Sequence, residues 1–169
     1  MTKGDLSRIL LSAERDLKRL LENEGAWQSL DVNYEPPRVQ RLWMPYQGEY
    51  RLYLHRIHPC GRPLFHPHQW PSAIMVVSGE YEMGLGYGSG EKPPPMAATL
   101  ILTAGCRYEM IEPDGWHYVK PIDEPSLSIM VTGKPWKRWA PGPKEDHKLE
   151  PLNADDRQLL FTDFRKYYQ

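Results

Sequence analysis

His66, Pro67 and His68 form a His-Pro-His triplet. On an extended strand, residues two apart point to the same face, so the two imidazoles can reach one ion together. His117 follows Pro113-Asp114-Gly115-Trp116. Proline and glycine there mark a tight turn that would deliver His117 onto the next strand. Neutral imidazole suits iron, zinc, copper or nickel, so His66, His68 and His117 are the candidate metal ligands. The competing reading of a His-x-His pair is a half-polar strand with ordinary histidines.

Further polar groups could hold a ligand. Arg51, Tyr53 and His55 share one face of a strand and Arg56 takes the other. One of these faces must look inward. An inward arginine could clamp a carboxylate, because its planar fork matches that group. Arg51, Tyr53, Arg56 and Tyr108 are therefore the candidate substrate-binding residues. His55 is a candidate fourth ligand or supporting partner. His58 and His147 lie beside proline or among charges and read as solvent-exposed. Gly84, Gly86, Gly88 and Gly90 precede three prolines without a helix signal. They read as a long loop and not as a phosphate cradle.

The elements that must position these groups are short strands. Tyr50 to Ile57, Ala73 to Val77, Glu80 to Leu85, Ala98 to Thr103, Arg107 to Ile111, Trp116 to Val119 and Leu127 to Val131 are rich in branched or aromatic residues. Turn residues separate them, the pattern of a β-sandwich or barrel. Strand character begins near Val39. Before it, Leu6, Ile9, Leu10, Ala13, Leu17, Leu20 and Leu21 recur at three and four, which predicts a helix over 5–24. Asp5 is a plausible cap and Gly25 a plausible stop. After Gly133 an irregular arm rich in proline and charge leads to a short helix over 154–168.

Composition bounds the function. The chain has 169 residues, enough for one proper core. Seventeen prolines, about twice the usual ~5% share, argue against a helical bundle. The net charge of −1, from 21 basic and 22 acidic residues, excludes a strong basic footprint for nucleic acid. Apolar runs such as Ala73 to Val77 fall far short of the ~20 residues of a membrane helix. Asp5, Arg8, Glu14, Arg15 and Asp16 interrupt the apolar N-terminal residues, unlike a signal peptide. With only Cys60 and Cys106, read as free thiols, the expected location is the cytoplasm.

Two motifs carry a resemblance. Gly61-x4-His66-x-His68, the strand to Val77 and then Ser78-Gly79-Glu80-Tyr81 resemble the first motif of the cupin superfamily. Pro113-x-Gly115-x-His117 resembles the second, one residue shorter than its commonest spacing. The resemblance covers about residues 50–132. It implies a mainly β fold: a cupin jelly-roll barrel, or double-stranded β-helix, with a metal site in its mouth. One cupin domain over 1–169 is expected, with the barrel at about 38–133 and the arm and short helix at 134–169. Leu54-His55-Arg56, His66 to Trp70 and Thr132 to Trp139 also resemble uncharacterised bacterial and phage cupin-like proteins, which bring no assigned activity.

The site departs from many cupins, which place a metal-binding glutamate at the position of Ser72 or Ala73. Three neutral ligands leave a divalent ion with its full charge, so the site favours an anionic ligand. The three-histidine set is similar to that of thiol dioxygenases. Their Ser-x-His-x-Tyr strand falls on Ser126-Leu127-Ser128-Ile129-Met130, which lacks the histidine and tyrosine, and their cross-linked cysteine falls on Ala73. The resemblance implies an Fe(II) oxygenase acting on a small anionic substrate, with Zn(II) or Ni(II) also suited to the ligands. A non-catalytic binding or sensing cupin, and a metal-dependent isomerase or lyase, stay open as alternatives. A homodimer is implied, and no nucleic-acid or membrane partner is expected.

Overall fold

A computed structural model describes residues 5–137, 139–143 and 148–169. The leucine stripe folds as α1 (Asp5–Glu22), with Leu6, Leu10, Ala13, Leu17 and Leu21 all buried. These residues recur at the helical period and form one apolar face. A 3-10 turn at Glu24–Ala26 closes the segment where Gly25 was expected to stop it. Ten strands follow: β1 (Gln28–Val32), β2 (Val39–Tyr46), β3 (Tyr50–Ile57), β4 (His66–Pro67), β5 (Ser72–Ser78), β6 (Glu80–Tyr87), β7 (Met96–Thr103), β8 (Arg107–Met110), β9 (Gly115–Pro121) and β10 (Ser126–Thr132). The last element is α2 (Ala154–Arg165), whose Asn153 side chain caps the Asp156 amide at 2.8 Å.

The strands form two antiparallel sheets. One has the order β1-β2-β3-β10-β5-β8 and the other β4-β9-β6-β7. The central region is thus strand and turn, with both α-helices at the ends, as the sequence predicts. Two details differ. β1 was not anticipated, because Gln28-Ser29-Leu30-Asp31-Val32 alternates weakly and lies half-buried at a sheet edge. Gly86, expected in the loop, lies in β6 together with Gly84 of the expected Glu80 to Leu85 strand. A Cβ on Gly84 would lie 2.1 Å from the Tyr118 ring, and one on Gly86 would lie 2.7 Å from Phe65. These glycines are the bare backbone on which two aromatic rings rest.

The six-stranded sheet has two differently used faces. Its outer face carries Leu42, Leu52, Leu54, Ala73, Ile129 and Val131, packed against α1 and α2 in the main core. Arg56 belongs to this outer face. It is 7% exposed, ion-paired with Asp163 of α2, and its Nη1 donates to Gln40 Oε1 at 3.2 Å. The inner face turns toward the four-stranded sheet. Tyr53, Ile74 and Met130 pack there, followed by Val76, Tyr81 and Met83.

The Arg56–Asp163 pair fastens α2 to β3. Removing one partner of a buried pair strands the other charge without compensation. Asp163→Ala should therefore lower unfolding free energy by roughly 3 kcal/mol, and Arg56→Met, which leaves a better-solvated carboxylate, by less. Urea denaturation of both variants measures the difference.

Candidate metal centre

β4 and β9 pair so that His66 lies directly opposite His117 and Pro67 opposite Trp116. Directly opposed residues of an antiparallel pair project to the same side. His68, just past the end of β4, returns to that side. The ring centroids lie 4.9 Å apart for His66–His117, 4.4 Å for His68–His117 and 6.1 Å for His66–His68. One nitrogen from each ring falls within 4.8 Å of the others, and among the described residues no carboxylate joins the group.

Local contacts orient two of the three rings. The Leu64 carbonyl can only accept, so His66 Nδ1, 2.9 Å away, carries the proton. Its Nε2 then keeps a lone pair, the arrangement usual for a metal-ligating histidine. Ser72 Oγ lies 2.9 Å from His68 Nδ1 and holds that ring through one nitrogen. The residue at the usual glutamate position thus contributes a hydroxyl support, while Ala73 packs in the core beneath the helices. His117 Nδ1 is buried without a hydrogen-bond partner. A buried unsatisfied nitrogen costs free energy, and an ion ligated by that nitrogen would offset it. Spacing, tautomer and an orphaned nitrogen together fit a first-row divalent ion.

The three rings open into a chamber of about 350 Å³ between the sheets. Its mouth is bounded by residues 34–37 and by Ala140 to Pro143 of the arm. Tyr34 Oη donates to the Pro141 carbonyl across it at 3.5 Å. Burial pushes His66 below the ordinary histidine range, against the opposing Leu64 bond. Burial and then the other two rings hold His117 well below that range. Burial, His66 and Arg41 lower His68 to about 3. All three are neutral at physiological pH, the state that ligates.

The candidate substrate residues are dispersed. Tyr108 lines the chamber. Its hydroxyl accepts from Tyr81 Oη at 3.0 Å, and burial pushes its pKa up to about 12. It stays protonated and can donate to a ligand. Tyr53 is inward but sits beneath Arg41, whose Cζ lies 5.2 Å from its ring centroid. Arg51 is exposed against Trp43. Arg56 points out of the chamber to α2, as described. His55 is buried at the chamber wall with Nε2 unpartnered, outside the three-histidine cluster. His58 is half-buried and not solvent-exposed, because Nε2 contacts Gln40 Oε1 at 3.0 Å. His147 lies outside the described residues.

Sequence reasoning missed Arg41 of β2, which lines the chamber beside His55. Its one signal was period two along β2, where Arg41 alternates with Gln40 and Leu42. Apolar residues occupy both faces of that strand, so alternation alone did not choose.

No protein-family model matches the sequence, and no curated protein matches it. Solved structures do. Fe(II)-HppE with the alternative substrate (S)-1-HPP superposes with a TM-score of 0.51 at 13% identity, covering 64% of this chain and 57% of that one. The chain has the cupin fold. The hydroxypropylphosphonic acid epoxidase from S. wedmorenis superposes at 0.49 with 14% identity over 64% of this chain and 56% of that one. An RmlC-like cupin from Shewanella frigidimarina gives 0.46 with 16% identity over 67% and 87%. The chain spans little more than half the length of the epoxidase chains. No helix among its described residues is long and apolar enough to cross a membrane.

The depressed histidines make stability depend on pH. His68 titrates near 3 when folded, against 6.5 for an ordinary histidine. Between those values the unfolded chain binds more protons, so stability falls as pH drops through the window. In metal-free protein the melting temperature should decline from pH 6.5 toward pH 3, and the decline should be shallower in His68→Asn. Circular-dichroism melts across that range check both slopes.

Proposed function

We propose that this cupin holds one divalent ion on His66, His68 and His117 and acts as a mononuclear non-haem Fe(II) oxygenase on a small anionic substrate. The observation that carries the reading is the convergence of three neutral imidazoles, with no carboxylate among the described residues, on one wall of the chamber. When bound, such an ion supplies open coordination positions, Lewis acidity and, as iron, one-electron redox chemistry. The protein holds the imidazoles neutral by burial, fixes two of them from behind through Leu64 and Ser72, and presents the Tyr108 hydroxyl as a donor. The chamber walls limit water around a reacting ligand.

Protein purified without added metal should contain one equivalent of iron, and a chelator should lower its melting temperature by mass action. Readdition of Fe(II) under nitrogen should restore it. His68→Ala should neither retain iron nor respond to the chelator. Elemental analysis and paired melting curves decide the matter. Identical curves with and without ion, at concentrations well above micromolar, would end the metal reading. Zinc or nickel in place of iron, with no oxygen uptake, would mark isomerase or lyase chemistry instead.

The same reading carries a cytoplasmic homodimer. Cys60 and Cys106 are unpaired, which suits a reducing compartment. β7 is a free edge of the four-stranded sheet, and its Leu100 and Ile101 are 43% and 54% exposed. Such an edge with exposed apolar side chains invites pairing with a second chain. Light scattering should give twice the chain mass for the wild type and the single mass for Ile101→Lys.

A further inference from the structure

Among the described residues, Arg41 is a cation without a counter-ion. Its Nε is buried and has no hydrogen-bond partner. Its guanidinium makes no ion pair among the described residues and rests on the Tyr53 ring at 5.2 Å. Glu35 is the one acid among the described residues lining the chamber, and it is exposed at the mouth. Burial pushes Arg41 below its ordinary pKa, and no carboxylate opposes the shift. A buried unpaired charge is costly to keep, so its retention points to a partner that comes and goes.

The surroundings are arranged as a site. Arg41 of β2 pairs in register with His55 of β3, and His55 with Ser128 of β10. All three line the chamber, so they form one polar row across the inner face of the six-stranded sheet. His55 Nε2 is a second buried nitrogen without a partner. Burial and then Arg41 keep that imidazole neutral. One guanidinium beside a neutral imidazole carries a single positive charge. It matches a singly charged carboxylate better than a phosphate dianion, and the planar fork suits two coplanar oxygens. The Arg41 charge also lowers His68, so row and cluster share one electrostatic space.

We infer that Arg41, with His55 beside it, anchors the carboxylate of a small ligand whose remaining donor faces His66, His68 and His117. The orientation toward the histidines rests on the metal reading above, while the carboxylate anchor stands on Arg41 and His55 alone.

The test uses the full chain, metal-free and zinc-loaded, with L-lactate as probe and uncharged L-lactamide as its isostere. Calorimetry should show one equivalent of zinc in both wild type and Arg41→Met. Lactate should bind wild type about tenfold or more tightly than Arg41→Met, the scale of a lost charge-assisted bond. Lactamide should not distinguish the two proteins. Arg41→Lys, which keeps the charge and loses the fork, should fall between them, and it decides the matter if Arg41→Met does not fold. Without ligand, Arg41→Met should melt no lower than wild type, because removing an uncompensated charge removes its cost. A packing role on Tyr53 would lower it. Equal lactate affinities in wild type and both variants, or no lactate binding to wild type in either form, would overturn the inference. If zinc binds neither protein, the metal reading falls, and the metal-free lactate titrations alone decide on Arg41.

Discussion

The short pairing of β4 with β9 decides where the imidazoles lie. Only His66 and Pro67 belong to β4, yet their register against Trp116 and His117 sets two histidines face to face. A one-residue slip would turn His117 to the opposite side of its strand. The register is held from outside the cluster. β9 is clamped along its length to β6, from Tyr87–Gly115 to Tyr81–Pro121. The bare backbone of Gly84 and Gly86 lets Tyr118 and Phe65 lie across that junction. Trp116 then locks the turn, its Nε1 donating to the Gly88 carbonyl at 2.8 Å. The convergence of the imidazoles depends on this aromatic brace as much as on the histidines themselves.

The six-stranded sheet separates stability from the site. Its outer face is leucine-rich and covered by both helices, and it buries most of the apolar core. Because that face supplies hydrophobic stabilisation, the inner face can carry an arginine with no ion pair among the described residues, a histidine whose Nε2 has no hydrogen-bond partner there, and empty volume. Natural proteins concentrate such costs at functional sites. The ion pair between Arg56 and Asp163 belongs to the stabilising face, where it positions α2.

Much of this was legible in the sequence, for reasons particular to each segment. The Tyr50–Ile57 strand was read with its observed bounds because branched and aromatic residues end at proline and charge on either side. His66 and His68 declared themselves by spacing, and Pro113-Asp114-Gly115 announced the turn before His117. Alternation could not say which arginine faced inward. On β3, Arg51, Tyr53 and His55 oppose Leu52, Leu54 and Arg56, and both sets contain groups that can be buried. What resolves the choice is the helix layer, a long-range feature with no local signature. Arg41 stayed hidden for the same reason. The alternating glycines misled because a loop and a strand that must accept rings on its backbone use the same residue.

Electrostatics joins the two halves of the chamber. A carboxylate among the ligands would have lowered the charge of a bound ion and given Arg41 a permanent partner. Neither compensation is present: Ser72 offers a hydroxyl to His68, and the acid among the described lining residues, Glu35, stays exposed at the mouth. Four lining histidines are held neutral or near neutral by burial, so they contribute lone pairs and donors without charge. The remaining charge is positive, and it lies within a low-dielectric enclosure where its field is poorly screened. Such an enclosure discriminates by sign before it discriminates by shape. Under the proposed reading, a small anion would gain twice on entering, from Arg41 at one wall and from an ion held at the other, and a cation of the same size would gain nothing.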